Sequence, residues 1–171
     1  METKTAGIES KTASRRTEGL LALFDMQTTF FDRALDGISE KDSYNRLGTK
    51  ANHIAWLAGS LVHQRYSMIE ETNPGLKMTG DDLFKDNKGI QADAKYPTNA
   101  EYLKDWKKVS PLARQALVDI DDEKLDSEID MGSMKMSYYE LITFTIYREA
   151  SIIGQLALWR RLLDYPALKY D

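Results

Sequence analysis

Residues 137–163 read SYYELITFTIYREASIIGQLALWRRLL, and this stretch decides the fold. Leu141, Thr145, Arg148, Ile152, Gln155, Trp159 and Leu162 recur at three- and four-residue steps. Ile142, Ile146, Ile153, Leu156 and Leu163 repeat the pattern beside them. Two neighbouring seams on a 3.6-residue period predict one long helix with a broad buried face. Ser137 followed by Glu140 has the spacing of a capping box at its start. Pro166 stands just beyond its expected end near Asp164.

The same period occurs three times upstream. Leu20, Leu23, Phe24, Gln27, Phe31, Leu35 and Ile38 predict a first helix from Thr17 that stops near Gly37. Leu47, Ala51, Ile54, Ala58, Leu61, Arg65 and Met68 predict a second, stopped by Asn73-Pro74-Gly75. Thr98 and Glu101 form another capping-box pattern. They open a third helix with Trp106, Val109, Ala113, Ala116 and Ile120 on one face. Pro111 marks a kink in it or a fresh helix start. Residues 74–98 carry no sustained period, though Thr79 is placed to cap a short turn. A connection of this length either lines a site or crosses the surface between parallel neighbours. Residues 121–136 read as an acidic loop with a brief extended piece. Strand signal is otherwise almost absent. The fold class is therefore all-α: a four-helix bundle with a long connection between helices 2 and 3. Residues 17–168 form its single domain, and residues 1–16 are a flexible polar lead-in.

Composition narrows the function classes. The chain of 171 residues is 42% hydrophobic and 29% charged, which suits a folded domain rather than a disordered one. Its net charge is −4, and its only arginine doublets are Arg15-Arg16 and Arg160-Arg161. That is a poor footprint for nucleic acid, which draws a basic stripe. No apolar run reaches a membrane span or a secretory core. Cysteine is absent, so disulfides, thiolate ligands and a cysteine nucleophile are excluded. These features fit a cytoplasmic protein.

Candidate chemistry is sparse. His53 and His63 are the only histidines. On one helix they would stand about 15 Å apart along the axis, too far to share a metal ion. His53 lies between the apolar and polar faces, and His63 is placed toward solvent. Arg148 is the sharper anomaly, an inward cation with no acid three or four residues away. It needs a carboxylate from another helix, such as Glu18, Asp25 or Asp32, or an anionic ligand. Glu149 borders the second seam, where a solvated edge position is expected; burial would make it a candidate acid or base.

Two stretches, NHIAWLAGSL at 52–61 and REASIIGQLALWRRLL at 148–163, resemble the DinB/YfiT-like family. The resemblance covers about residues 17–168. It implies a four-helix bundle, a homodimer, and a divalent metal such as nickel, zinc or iron held by three histidines. His53 matches the ligand of helix 2. Arg148 and Ile152 stand where the two ligands of helix 4 belong, and Gly154-Gln155 match the step that follows them. Arginine stays protonated and isoleucine has no donor atom, so neither can ligate. A guanidinium about 5 Å from a divalent ion is repelled by roughly 6–7 kcal/mol at an effective dielectric near 20. No tightly bound metal or other cofactor is expected. The leading expectation is a small-molecule pocket at the former metal site, built from His53, Arg148, Ile152 and Gln155, with Glu149 beside it. The alternatives are a metal-dependent thiol transferase or hydrolase, and a non-catalytic dimeric interaction protein. Neither nucleic acid nor a membrane is expected as partner.

Overall fold

A computed structural model describes residues 12–171. The chain is mostly helical. Four long helices carry the core: α1 (Glu18–Leu35), α3 (Ile54–Met68), α4 (Asn99–Asp119) and α6 (Tyr138–Leu162). Two short helices, α2 (Glu40–Ser43) and α5 (Asp122–Asp126), sit in the connections. A two-stranded antiparallel hairpin, β1 (Glu128–Asp130) and β2 (Lys135–Ser137), leads into α6. The long helices pack in the cyclic order α1, α4, α3, α6.

Polar contacts between helices fix their directions. Gln27 donates to the Ile146 carbonyl and Arg160 to the Ala34 carbonyl, so α1 and α6 run parallel. Trp159 donates to the Asn52 carbonyl and Gln64 to the Thr145 carbonyl, so α3 and α6 run antiparallel. Gly59 faces Tyr102 and Tyr66 meets Asp105, so α3 and α4 run parallel. Parallel neighbours cannot be joined by a tight turn, and the connection at 69–98 crosses from one end to the other. It is fastened to the core by Phe84 and Tyr96, both buried. The Thr79 N–H donates to Asp105 Oδ2 at 2.7 Å.

Several local expectations hold and several are corrected. Both capping boxes form, Thr98 with Glu101 and Ser137 with Glu140. The second helix starts at Ile54, not near Leu47: Leu47 and Gly48 take left-handed φ of 49° and 71°, which no helix accommodates. Thr79 caps nothing; Gly80 precedes the short 3-10 turn Asp81–Leu83. Pro111 does not divide α4. It is exposed, as is Lys107, whose carbonyl loses its usual helical donor, so the loss falls on the solvent side. Residues 1–11 of the expected lead-in lie outside the described residues. Ser14 is buried and donates to Asp122, and Arg16 pairs with Asp126 at 2.7 Å, so this short segment is tied to α5. No helix among the described residues is long and apolar enough to cross a membrane.

Candidate functional site

Where α3 and α6 cross, consecutive residues on each helix form two polar pairs. Arg65 and Glu149 face the core, and Gln64 and Arg148 face outward. The inner pair is complete. Arg65 Nε and Nη2 donate to Glu149 Oε1 and Oε2 at 2.9 and 2.8 Å. Nη1 donates to Thr28 Oγ1 at 2.8 Å and to Ser110 Oγ at 2.7 Å. The second N–H of Nη2 reaches the Phe24 carbonyl at 3.5 Å. Both hydroxyls spend their protons on backbone carbonyls, so their lone pairs are free for the guanidinium. The rings of Phe24 and Trp106 lie over the guanidinium at 3.8 and 3.5 Å. Both partners are 0% exposed. Burial lowers the Arg65 pKa, against the opposing pull of Glu149. Glu149 is thus neither a solvated edge residue nor an available acid or base. It is the counter-ion of an arginine counted in the apolar stripe of the second helix.

The outer pair is incomplete. Arg148 is half-buried, and its Nη1 donates to Gln64 Oε1 at 2.6 Å. The Gln64 amide in turn donates to the Thr145 carbonyl at 3.0 Å. No ion pair to Arg148 exists among the described residues. Of the acids expected as its partners, Asp25 is engaged with Arg114 at 2.8 Å and Asp32 with Lys107 at 3.6 Å, and Glu18 makes no ion pair with it. Burial also lowers the Arg148 pKa, opposed by the Glu149 carboxylate nearby.

Arg148 lines a cleft of about 320 Å³ between the start of α3 and the middle of α6. Trp56, Phe144, Tyr147 and Ile152 supply apolar walls; Asn52, Ser151 and Gln155 supply polar ones. The Trp56 indole N–H is buried without an acceptor among the described residues. Three of the sequence-selected residues, Arg148, Ile152 and Gln155, therefore share one cleft. His53 and Glu149 do not line it. The sequence reading missed Asn52, Phe144 and Tyr147 as walls, and Gln64 as the group that orients Arg148. Gln64 lies three residues beyond Leu61 on the same helical face, which was its available signal.

His53 has a structural task. It is the N-cap of α3, and its Nδ1 accepts from the Trp56 N–H at 3.1 Å. The ring is 6% exposed and lies between Tyr44 and Tyr96, with centroids 5.1 and 5.2 Å away. Burial lowers its pKa. A neutral ring whose Nδ1 accepts carries its proton on Nε2. His63, expected toward solvent, is half-buried beside Phe84, with Asp81 at 3.9 Å.

The residues present do not suit a divalent metal at this place. His53 has one nitrogen committed to the cap, Arg148 contributes a positive charge, and Ile152 has no donor. No group of three or more histidine, aspartate or glutamate side chains is arranged to hold an ion among the described residues. In comparisons with known proteins, no family model matches the chain and no curated protein matches it.

Proposed function

We propose that the Arg148 cleft binds a small anionic or polar molecule, in a four-helix bundle of DinB/YfiT-like type that has lost its metal triad. One observation carries this reading: a half-buried guanidinium, without a carboxylate partner, in a walled cleft. Gln64 accepts from only one of its donors, which leaves the others free for a ligand. Such a site favours an acceptor-rich group, a carboxylate or phosphate, with an apolar portion against Trp56 and Phe144. A thermal-shift screen of carboxylates, phosphates and thiols tests this against wild type and Arg148→Met. At least one anion should stabilise wild type more than the variant. If none does, the reading fails. Elemental analysis addresses metal-dependent thiol transfer or hydrolysis separately, since stoichiometric nickel, zinc or iron lost on His53→Ala would favour that chemistry.

A second reading, a homodimeric interaction protein, has its own observation. Phe144, Tyr147, Ser151, Gly154, Leu158 and Leu162 follow one another on α6 at three- and four-residue steps. The four large residues are 56%, 68%, 56% and 51% exposed. An apolar stripe left open on a long helix suits a helical partner. Sedimentation of wild type against Tyr147→Lys/Leu158→Lys decides it; a monomer in both cases removes the reading.

A further inference from the structure

A second and larger cleft opens at the other end of the α3–α6 groove, with a volume of about 720 Å³. Gln64 and Thr145 line it, while Arg148 lines the first, so the bridge through Gln64 stands between the two. Its walls come from α3, α4 and α6, and α5 and the hairpin close one side. The floor is apolar: Met68, Leu117, Ile120, Ile129, Leu141 and Ile142. The rim carries four carboxylates, Glu70, Glu71, Glu128 and Asp130, against one ammonium, Lys124.

Two of the four acids are neutralised. Lys124 meets Glu71 at 2.9 Å, and Lys135 meets Glu128 at 2.6 Å. Glu70 and Asp130 have no ion pair among the described residues. Glu70 and Glu71 also follow closely on the C-terminal end of α3, where the helix dipole adds partial negative charge. The chain itself shows what this rim accepts. The Lys124 ammonium rests 4.7 Å from the centre of the Tyr138 ring while pairing with Glu71, an alkyl-ammonium held between a π face and a carboxylate. Both members of that pair are exposed, so the contact is weak and readily exchanged.

We infer that this cleft binds an amphipathic amine, with its hydrocarbon portion on the apolar floor and its ammonium at the Glu70–Glu71 end. Apolar burial supplies the affinity, and the excess of carboxylates selects the cation over neutral or anionic molecules of the same shape. The inference is independent of the Arg148 reading, because the ligand charge is opposite and the lining residues are different.

Hexylamine, 1-hexanol and hexanoate form the test series, with binding followed by two-dimensional NMR and calorimetry on the intact chain. Hexylamine should perturb residues of the hairpin and the end of α3, and bind more tightly than hexanol. The double variant Glu70→Gln/Glu71→Gln, at two exposed positions, should lose about tenfold in amine affinity, the order of one charge-assisted hydrogen bond, and keep its affinity for hexanol. Added salt should weaken the amine alone. Arg148→Met should change none of this, which separates the outcome from that of the first cleft. Equal binding of amine and alcohol, an unchanged amine affinity in the double variant, or no binding at all overturns the inference.

Discussion

The inner and outer pairs at the α3–α6 crossing are built from neighbours in sequence, yet they occupy opposite regimes. Arg65 and Glu149 lie in the dry core and satisfy every donor. Gln64 and Arg148, one residue away on each helix, lie at a cleft and leave a cation without a counter-charge. A turn of about 100° around the axis separates the two environments. In the core an unpaired charge is intolerable, so the fold must supply a partner. At the edge solvent screens the charge, so the position is free to serve a ligand. Paired charge is here architecture, and unpaired charge is opportunity.

The sharpest way to break this contrast is to unpair the inner arginine. Glu149→Ala should cost about 3–5 kcal/mol in urea unfolding, because it strands a buried guanidinium. Replacing both partners, Arg65→Met with Glu149→Leu, should recover most of that loss. A cost below about 1 kcal/mol for Glu149→Ala would mean that water reaches Arg65, and that the two pairs are alike after all.

His53 tests the same region from the cap. His53→Ala should cost about 0.5–2 kcal/mol through loss of the acceptor for the Trp56 N–H, and His53→Asn should restore it. Burial holds the His53 and His63 imidazoles below the ordinary pKa of 6.5. The unfolded chain then takes up protons that the folded chain refuses. Stability should be full above pH 6.5 and fall as the pH drops below it. His53→Asn should flatten part of that slope; an unaltered profile assigns it to His63.

Two positions outside the core give the smallest effects. Gly154 lies mid-helix with nothing near the place of a Cβ, so Gly154→Ala should stabilise the isolated chain by about 0.5–1 kcal/mol. Should the stripe on α6 seat a second copy, the same change should instead weaken the dimer. Arg148→Met should move stability by no more than about 0.5 kcal/mol without ligand, an order of magnitude below the inner pair. A larger loss would make Arg148 a structural residue and remove its claim to a ligand.

Much of the helical architecture was legible because its signals are local. Ser137 with Glu140, Thr98 with Glu101, and the α6 seam of Ile142, Ile146, Ile153 and Leu156 each act within one or two turns and appear in the structure, whereas the Leu141 seam reaches the surface at Gln155 and Leu162. The start of α3 was not legible. Leu47 and Ala51 continue the apolar period, but the backbone leaves the helical region at Leu47 and Gly48, and His53 becomes a cap. Thr79 had the right residue type for a cap, but its N–H is drawn to Asp105, 26 positions away. In the candidate site, Arg148, Ile152 and Gln155 were found together because they share one face of one helix. Their complements, Asn52 just before α3 and Gln64 within it, come from a distant part of the chain, and no period connects them to α6.

The sequence by itself determined that four long helices form, because periodicity and capping are interactions between residues a few positions apart. It also determined that neither Arg148 nor Ile152 can ligate a metal, since ligand chemistry belongs to residue type. The tertiary structure alone decided which arginine is satisfied. Arg65 and Arg148 are the same side chain on amphipathic helices, and each could have faced the core. The packing of α3 against α6 brings Glu149 to one and glutamine to the other across 84 residues. Charge compensation at that range is set by which faces the packed helices present to each other, and no local pattern encodes it.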